Sequence, residues 1–261
     1  MKGAGLVADI FNLGGRTVLV TGASSGLGAH FAQLLARCGC RVALAARRRE
    51  RLEVQVAQLQ ENGLQAAAFA LDVTSRESVV RCLEEVEAHF GALQVVVNNA
   101  GVSKTRGVLE YEDRDWDEVV DTNLKGAWMV AQESARRMVA SGTAGSIVNV
   151  TSILAERVAA GVGPYGVAKA GLANLTRSMA LELARHDIRV NALAPGYIVT
   201  ELNRDFLASE QGERLRKRIP SRQFCEFTDL EGPLLLLVSD ASRRMSGAEV
   251  VVDGAHLCSG L

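Results

Sequence analysis

Seven short apolar bursts recur along the chain: "TVLVTG" (17–22), "RVALAA" (41–46), "QAAAFALDV" (65–73), "LQVVVNNAG" (93–101), "GSIVNVTS" (145–152), "IRVNALAPG" (188–196) and "EVVVDG" (249–254). Between them lie amphipathic stretches of helical length at 27–39, 48–62, 75–90, 113–140, 165–186 and 227–239. Continuous apolar runs bounded by Gly or polar residues read as strands buried on both faces. Strand and helix alternating throughout specify an α/β fold, a doubly wound and mainly parallel sheet of about seven strands with helices on both faces. With 261 residues and no Pro- or Ser-rich linker, one domain over 1–261 is expected. In sheets of this kind ligands bind at the carboxyl ends of the strands, where the winding reverses.

Composition narrows the function classes. The 29 basic and 30 acidic side chains nearly cancel, so there is no electrostatic footprint for nucleic acid. The longest apolar runs, such as Leu234 to Val238, fall far short of the roughly 20 residues a membrane helix needs. The opening "MKGAGLVADIFNLGG" is a poor signal peptide, and a cytoplasmic location follows by default. Five cysteines are an odd number, and Cys38 and Cys40 are too close for an ordinary disulfide, so reduced, packed thiols are expected. The four histidines show no ligand spacing, and no catalytic metal is expected.

"TGASSGLG" follows the first strand and opens the first helix, putting Gly22, Gly26 and Gly28 where a backbone turns tightly and approaches a pyrophosphate. Ser24, Ser25 and Leu27 complete the candidate dinucleotide turn. About 20 residues on, an NAD site would hold a carboxylate for the ribose 2′-hydroxyl. Here Ala45 and Ala46 are followed by "RRRERLE". Three arginines at a helix start oppose the helix dipole unless an anion is bound. Arg47 or Arg48 clamping a 2′-phosphate therefore points to NADP(H), with NAD(H) left open; a solvated basic turn is the plainer alternative. At the end of the third strand, Asp72 and Val73 adjoin the adenine position, where Asp72 either accepts from the adenine amino group or, like Thr74, caps a helix.

"PYGVAKAG" (164–171) sets Tyr165 and Lys169 at i and i+4, on one helical face. A nearby ammonium is expected to pull the phenol's pKa down toward working pH, making Tyr165 a proton exchanger. Ser152 is placed to hold a carbonyl oxygen, and Asn123 in "DTNLKG" is a fourth polar candidate. Singly, each has an ordinary reading as interface aromatic, solvated lysine, cap or turn former.

Jointly, the chain from Thr17 to about Gly254 resembles the classical short-chain dehydrogenase/reductase family, with its Rossmann-type sheet. The resemblance is carried by "TGASSGLG", "NNAG" at 98–101, Asn123, Ser152, "YGVAK" at 165–169, "PG" at 195–196 and "SGAEVVVDG" at 246–254. It implies Tyr165 as general acid and base, Ser152 orienting the substrate oxygen, Lys169 also binding the nicotinamide ribose, and Asn123 holding a relay water. It further implies a cofactor cleft lined by Asn99, Ala100 and Gly101, although Asn98 or Asn99 could equally tie the central strands together. Pro195 and Gly196 lead a segment whose Ile198 and Thr200 would lie near the nicotinamide carboxamide. Segment 200–226 would be a substrate lid or a subunit contact. The first 15 residues precede the family's first strand, and "DGAH" replaces a second Gly found after "DG" in many relatives.

The expected activity is alcohol–carbonyl interconversion on a small organic substrate with NADP(H). The alternatives are 3-oxoacyl-carrier-protein reduction and, in another class, a nucleotide-binding regulator without turnover. Homodimers or homotetramers through 113–140 and 165–186 are implied by the resemblance; Trp128, Met129, Leu172, Leu175 and Met179 serve either that contact or the core.

Overall fold

β1 (Thr17–Thr21) is buried at every position, as a strand covered on both faces must be. β2 (Arg41–Ala46) and β3 (Ala66–Ala70) lie on one side of it, while β4 (Val95–Asn98), β5 (Gly145–Val150), β6 (Ile188–Pro195) and β7 (Glu249–Val252) lie on the other. The order β3-β2-β1-β4-β5-β6-β7 is parallel throughout, so the winding reverses between β1 and β4. The computed structural model describes residues 10–200 and 203–259. Part of the expected N-terminal extension (1–9), and positions 201 and 202 of the expected lid, lie outside the described residues.

The helices are α1 (Gly26–Arg37), α2 (Arg49–Glu61), α3 (Arg76–Phe90), α4 (Asp113–Val120), α5 (Ala127–Ser141), α6 (Gly163–Leu183), the short α7 (Arg204–Ala208) and α8 (Glu210–Arg216), and α9 (Glu231–Val238). Phe31 and Leu35 of α1, Leu52 and Leu59 of α2 and Leu234 and Leu237 of α9 cover one face of the sheet. Val79, Leu83 and Val86 of α3, Met129 and Met138 of α5 and Ala180 of α6 cover the other. This is the doubly wound sheet the apolar bursts imply.

Local chemistry sets the boundaries. Ser75 caps α3 by accepting from the Ser78 amide at 3.3 Å. Pro164 occupies the first turn of α6, where its missing N–H costs nothing. The single helix expected over 113–140 is instead two helices joined by a π-helical segment, Asp121–Gly126. An extra residue in one turn rotates everything after it by about 100° without disturbing hydropathy enough to show. The last expected helix begins as a 3-10 turn, Phe227–Leu230. β3 and β4 stop short of Val73 and Gly101, and the residues beyond them become loops at the carboxyl edge.

Candidate active site

Gly22 and Gly26 have φ of +67° and +57°, the left-handed region that favours glycine. A Cβ on Gly22 would stand 2.8 Å from the Ala100 Cα, and one on Gly28 would strike the Asn99 amide. Ser25 precedes α1 in extended conformation and its side chain caps no amide, leaving the first N–H groups of α1 for an anion. Leu27 packs back against the core beneath them. The turn therefore fits a pyrophosphate.

Its rigidity comes from β4. The Thr21 hydroxyl accepts from the Asn99 and Ala100 amides, both at 3.1 Å, and the Asn99 side chain donates to the Thr21 carbonyl at 3.1 Å. Asn98 is buried and donates to Ala127 and Asn149. Both asparagine side chains thus bond to the ends of neighbouring strands, the strand-tying role weighed for them, and half-buried Asn99 keeps its place beside the glycine turn. Their amides are used in tying strand ends together, and the small residues Ala100 and Gly101 follow at the carboxyl edge.

At the far rim, Arg48 donates to the Ser24 hydroxyl at 3.1 Å and more weakly to Ser25. Arg47 is exposed and close enough to act on Asp72. Partial burial opposes ionisation of Asp72, but hydrogen bonds from Thr74 and the charge of Arg47 outweigh it and lower its pKa. Asp72 accepts from the Thr74 amide and hydroxyl at 3.0 and 2.7 Å, while Ser75 is the cap; neither Asp72 nor Thr74 is. Val73 is buried, and its side chain lies against Gly126.

Tyr165 and Lys169 share one face of α6, with the Lys169 Nζ 5.5 Å from the Tyr165 ring centroid. Lys169 is buried and donates to the Val150 carbonyl at 2.7 Å. Burial pushes its pKa down to about 8. Tyr165 keeps partial solvent contact along the cleft, yet desolvation drives its pKa up to about 12; the Ser152 hydroxyl works against this and Tyr197 adds to it. The expected depression of the phenol's pKa is therefore not present in the structure as it stands. Loss of water around the phenolate is the largest influence on it, larger than the hydrogen bond from Ser152 that favours ionisation. Ser152 heads a 3-10 turn (Ile153–Ala155) and accepts from the Leu154 amide at 3.2 Å. It is a cap and still has a hydroxyl proton to share.

Asn123, fully buried in the π segment, accepts from the Val102 amide at 2.9 Å and donates to its carbonyl at 2.7 Å. A Cβ on Gly101 would stand 2.6 Å from this amide oxygen. The side chain is thus a bracket for the loop after β4, and a relay water would depend on what this pairing leaves free.

Pro195 ends β6 opposite Val252, and Gly196 passes so near Asp253 that a Cβ would stand 2.8 Å from its Cα. Ile198 is buried in the core, and its carbonyl accepts from Asn203 at 2.9 Å, which leaves its N–H free for a carboxamide. The Thr200 hydroxyl is tied to Asn203 at 3.2 Å. In the expected lid, Leu207 and Ile219 are buried while Phe206 is exposed.

Beyond Tyr165 lie residues that no sequence motif marks. The His256 ring lies 5.8 Å from that of Tyr197, and Arg157, one turn past Ser152, donates to the His256 carbonyl and to Ser259. The one signal was the departure at "DGAH": Ala255 holds a φ of +67° where many relatives carry Gly. Cys258 nearby is exposed, unlike the packed thiols expected, although all five cysteines are free.

Residues 22–255 match the family model described as enoyl-(acyl carrier protein) reductase. The chain is 36% identical over 247 residues to gluconate 5-dehydrogenase of Gluconobacter oxydans (strain 621H), covering 94% of this chain and 96% of that protein. It is 35% identical over 240 residues to the 3-oxoacyl-(acyl-carrier-protein) reductase of Staphylococcus aureus (strain Mu50), covering 92% and 97%. A gluconate 5-dehydrogenase from Burkholderia cenocepacia J2315, solved in complex with NADP and tartrate, superposes with a TM-score of 0.93 at 33% identity, covering 97% and 100%. Ordered motifs, strand order and full-length likeness converge: this chain belongs to the short-chain dehydrogenase/reductase family of oxidoreductases.

Proposed function

We propose that this protein is an NADP(H)-dependent oxidoreductase that interconverts a secondary alcohol of a sugar acid and the corresponding ketone. The observation that carries it is the joint placement of Tyr165, buried Lys169 and Ser152 beside a glycine cradle whose rim holds Arg48. Three structural neighbours are described as gluconate-type dehydrogenases with bound NADP.

The residues of the cradle, Gly22, Ser24, Ser25, Gly26 and Gly28, would hold the pyrophosphate, and Arg47 and Arg48 the 2′-phosphate. The bound dinucleotide supplies or accepts the hydride. Ser152 then donates to the substrate oxygen, fixing it beside Tyr165. With its pKa near 12, Tyr165 is a phenol at neutral pH, so in reduction its O–H proton passes to the carbonyl oxygen as the carbon accepts hydride. In oxidation the phenolate must form first, and the Lys169 ammonium on the same face favours it only below about pH 8, where Lys169 still holds its proton. Alcohol oxidation is therefore expected to rise with pH up to about 8 and to flatten above it as Lys169 loses its charge, while reduction, which needs the phenol, holds steady through neutral pH.

The carrier-protein reading has near-equal identity behind it. Against it, Arg137, one of the basic residues available to an acidic carrier, is engaged by Glu84, Glu87 and Glu133. Turnover of D-gluconate and 5-keto-D-gluconate against acetoacetyl thioester, each with NADP(H) and NAD(H), separates the readings. Preference for the thioester overturns the sugar-acid proposal, and preference for NAD(H) overturns the role of Arg47 and Arg48.

The same proposal includes a homodimer or homotetramer in the cytoplasm. It is supported by a groove of about 550 Å³ on the outer faces of α5 and α6, lined in part by Trp128, Leu175 and Met179. Met129 and Leu172 are core. Free cysteines suit a reducing compartment. Segment 203–226, with exposed Phe206 on α7, is proposed as a substrate lid.

A further inference from the structure

The C-terminal stretch is held against the turn that follows Ser152 by one guanidinium. Arg157 follows Ser152 by a single turn, its amide donating to the Ile153 carbonyl at 2.9 Å. Its Nη1 donates to the His256 carbonyl and, at 2.9 Å, to the Ser259 hydroxyl. These contacts engage one of its nitrogens, and no carboxylate pairs with Arg157 among the described residues. Arg157 is half-buried. A half-buried cation without a counter-ion is costly unless a ligand anion completes it.

The neighbours agree. The buried Nδ1 of His256 has no hydrogen-bond partner, although its ring stands beside Tyr197. Burial lowers the His256 pKa, and the positive charges of Arg157 and Arg218 lower it further against the opposing pull of Asp253. The nearest acid, Asp253, is occupied in accepting from the Leu257 amide at 2.6 Å. Arg157, Arg218 and His256 thus gather beside Tyr197, whose phenol is close enough to act on Tyr165.

We propose that Arg157, with the unpartnered imidazole nitrogen of His256 beside it, recognises the carboxylate of the substrate. The assignment rests on the sugar-acid reading for its biological meaning, but its test does not require turnover. Binding of D-gluconate and of its uncharged counterpart D-glucitol to the full-length enzyme with NADPH, which cannot accept a hydride from either alcohol, is measured by calorimetry. A charge-assisted hydrogen bond of ordinary strength predicts that D-gluconate binds about tenfold or more tightly than D-glucitol. Arg157→Met should erase that difference while leaving D-glucitol binding in place, and Arg157→Lys should restore part of it. Equal wild-type affinities, or an Arg157→Met variant that weakens both ligands alike, would overturn the subsite and leave Arg157 as a clasp for the tail. Tight, Arg157-dependent binding of D-gluconate with no oxidation of it when NADP⁺ is supplied would sustain the subsite and refute the proposed substrate.

Discussion

The two walls of the cleft are built differently. On the cofactor side, β1, the glycine turn and the end of β4 interlock through backbone: Gly22 lies against Ala100, and one hydroxyl, Thr21, receives two main-chain amides. On the substrate side, long side chains reach across sequence, as when Arg157 holds a tail 99 residues away. Backbone contacts leave almost no room for substitution, whereas side-chain contacts can be exchanged while the frame survives. A scaffold made this way keeps one hydride chemistry and admits different substrates.

Lys169 stands where the walls meet, and its replacement should have the largest effect. Lys169→Met is expected to lower turnover by about 10²–10⁴-fold and to stabilise the protein without cofactor at pH 7. The sign follows from a folded pKa of about 8 against an ordinary 10.5. The penalty is complete below pH 8 and vanishes as pH rises to 10.5; it amounts to about 3 kcal/mol. Denaturant midpoints against pH, rising in wild type over that window and flat in the variant, check it.

Gly28→Ala probes the backbone wall. Because the Cβ meets the Asn99 amide, NADPH affinity should fall about 10²-fold, the loss of one or two charge-assisted hydrogen bonds to the phosphates; fluorescence titration measures it. Arg47→Asp with Arg48→Ala tests the side-chain part of that wall. It should reduce the preference for NADPH over NADH about tenfold while leaving the cradle intact. Smallest is Ala255→Gly on the opposite wall, expected to raise stability by about 1 kcal/mol by relieving a left-handed alanine, read by urea denaturation. Should Gly28→Ala be silent, the contrast between the walls fails.

The same contrast explains what was legible in the sequence. β2 occupies 41–46 as its apolar run suggests, and Tyr165 and Lys169 share a helix face because i and i+4 spacing is local. The break at Asp121–Gly126 left no hydropathy signature. The Asn123–Val102 pairing and the clasp of Arg157 on the tail join distant residues, so no short-range pattern encodes them. The phenol's pKa was misjudged because spacing reveals the nearby charge and says nothing of desolvation, which here is larger.

The central claim is that Tyr165 exchanges the proton at a site whose cofactor cradle stands independently of it. The direct measurement is turnover of 5-keto-D-gluconate by Tyr165→Phe alongside NADPH affinity by fluorescence. The account predicts a rate lower by about 10²–10⁴-fold with NADPH still bound; a variant that reduces substrate at close to the wild-type rate would contradict it.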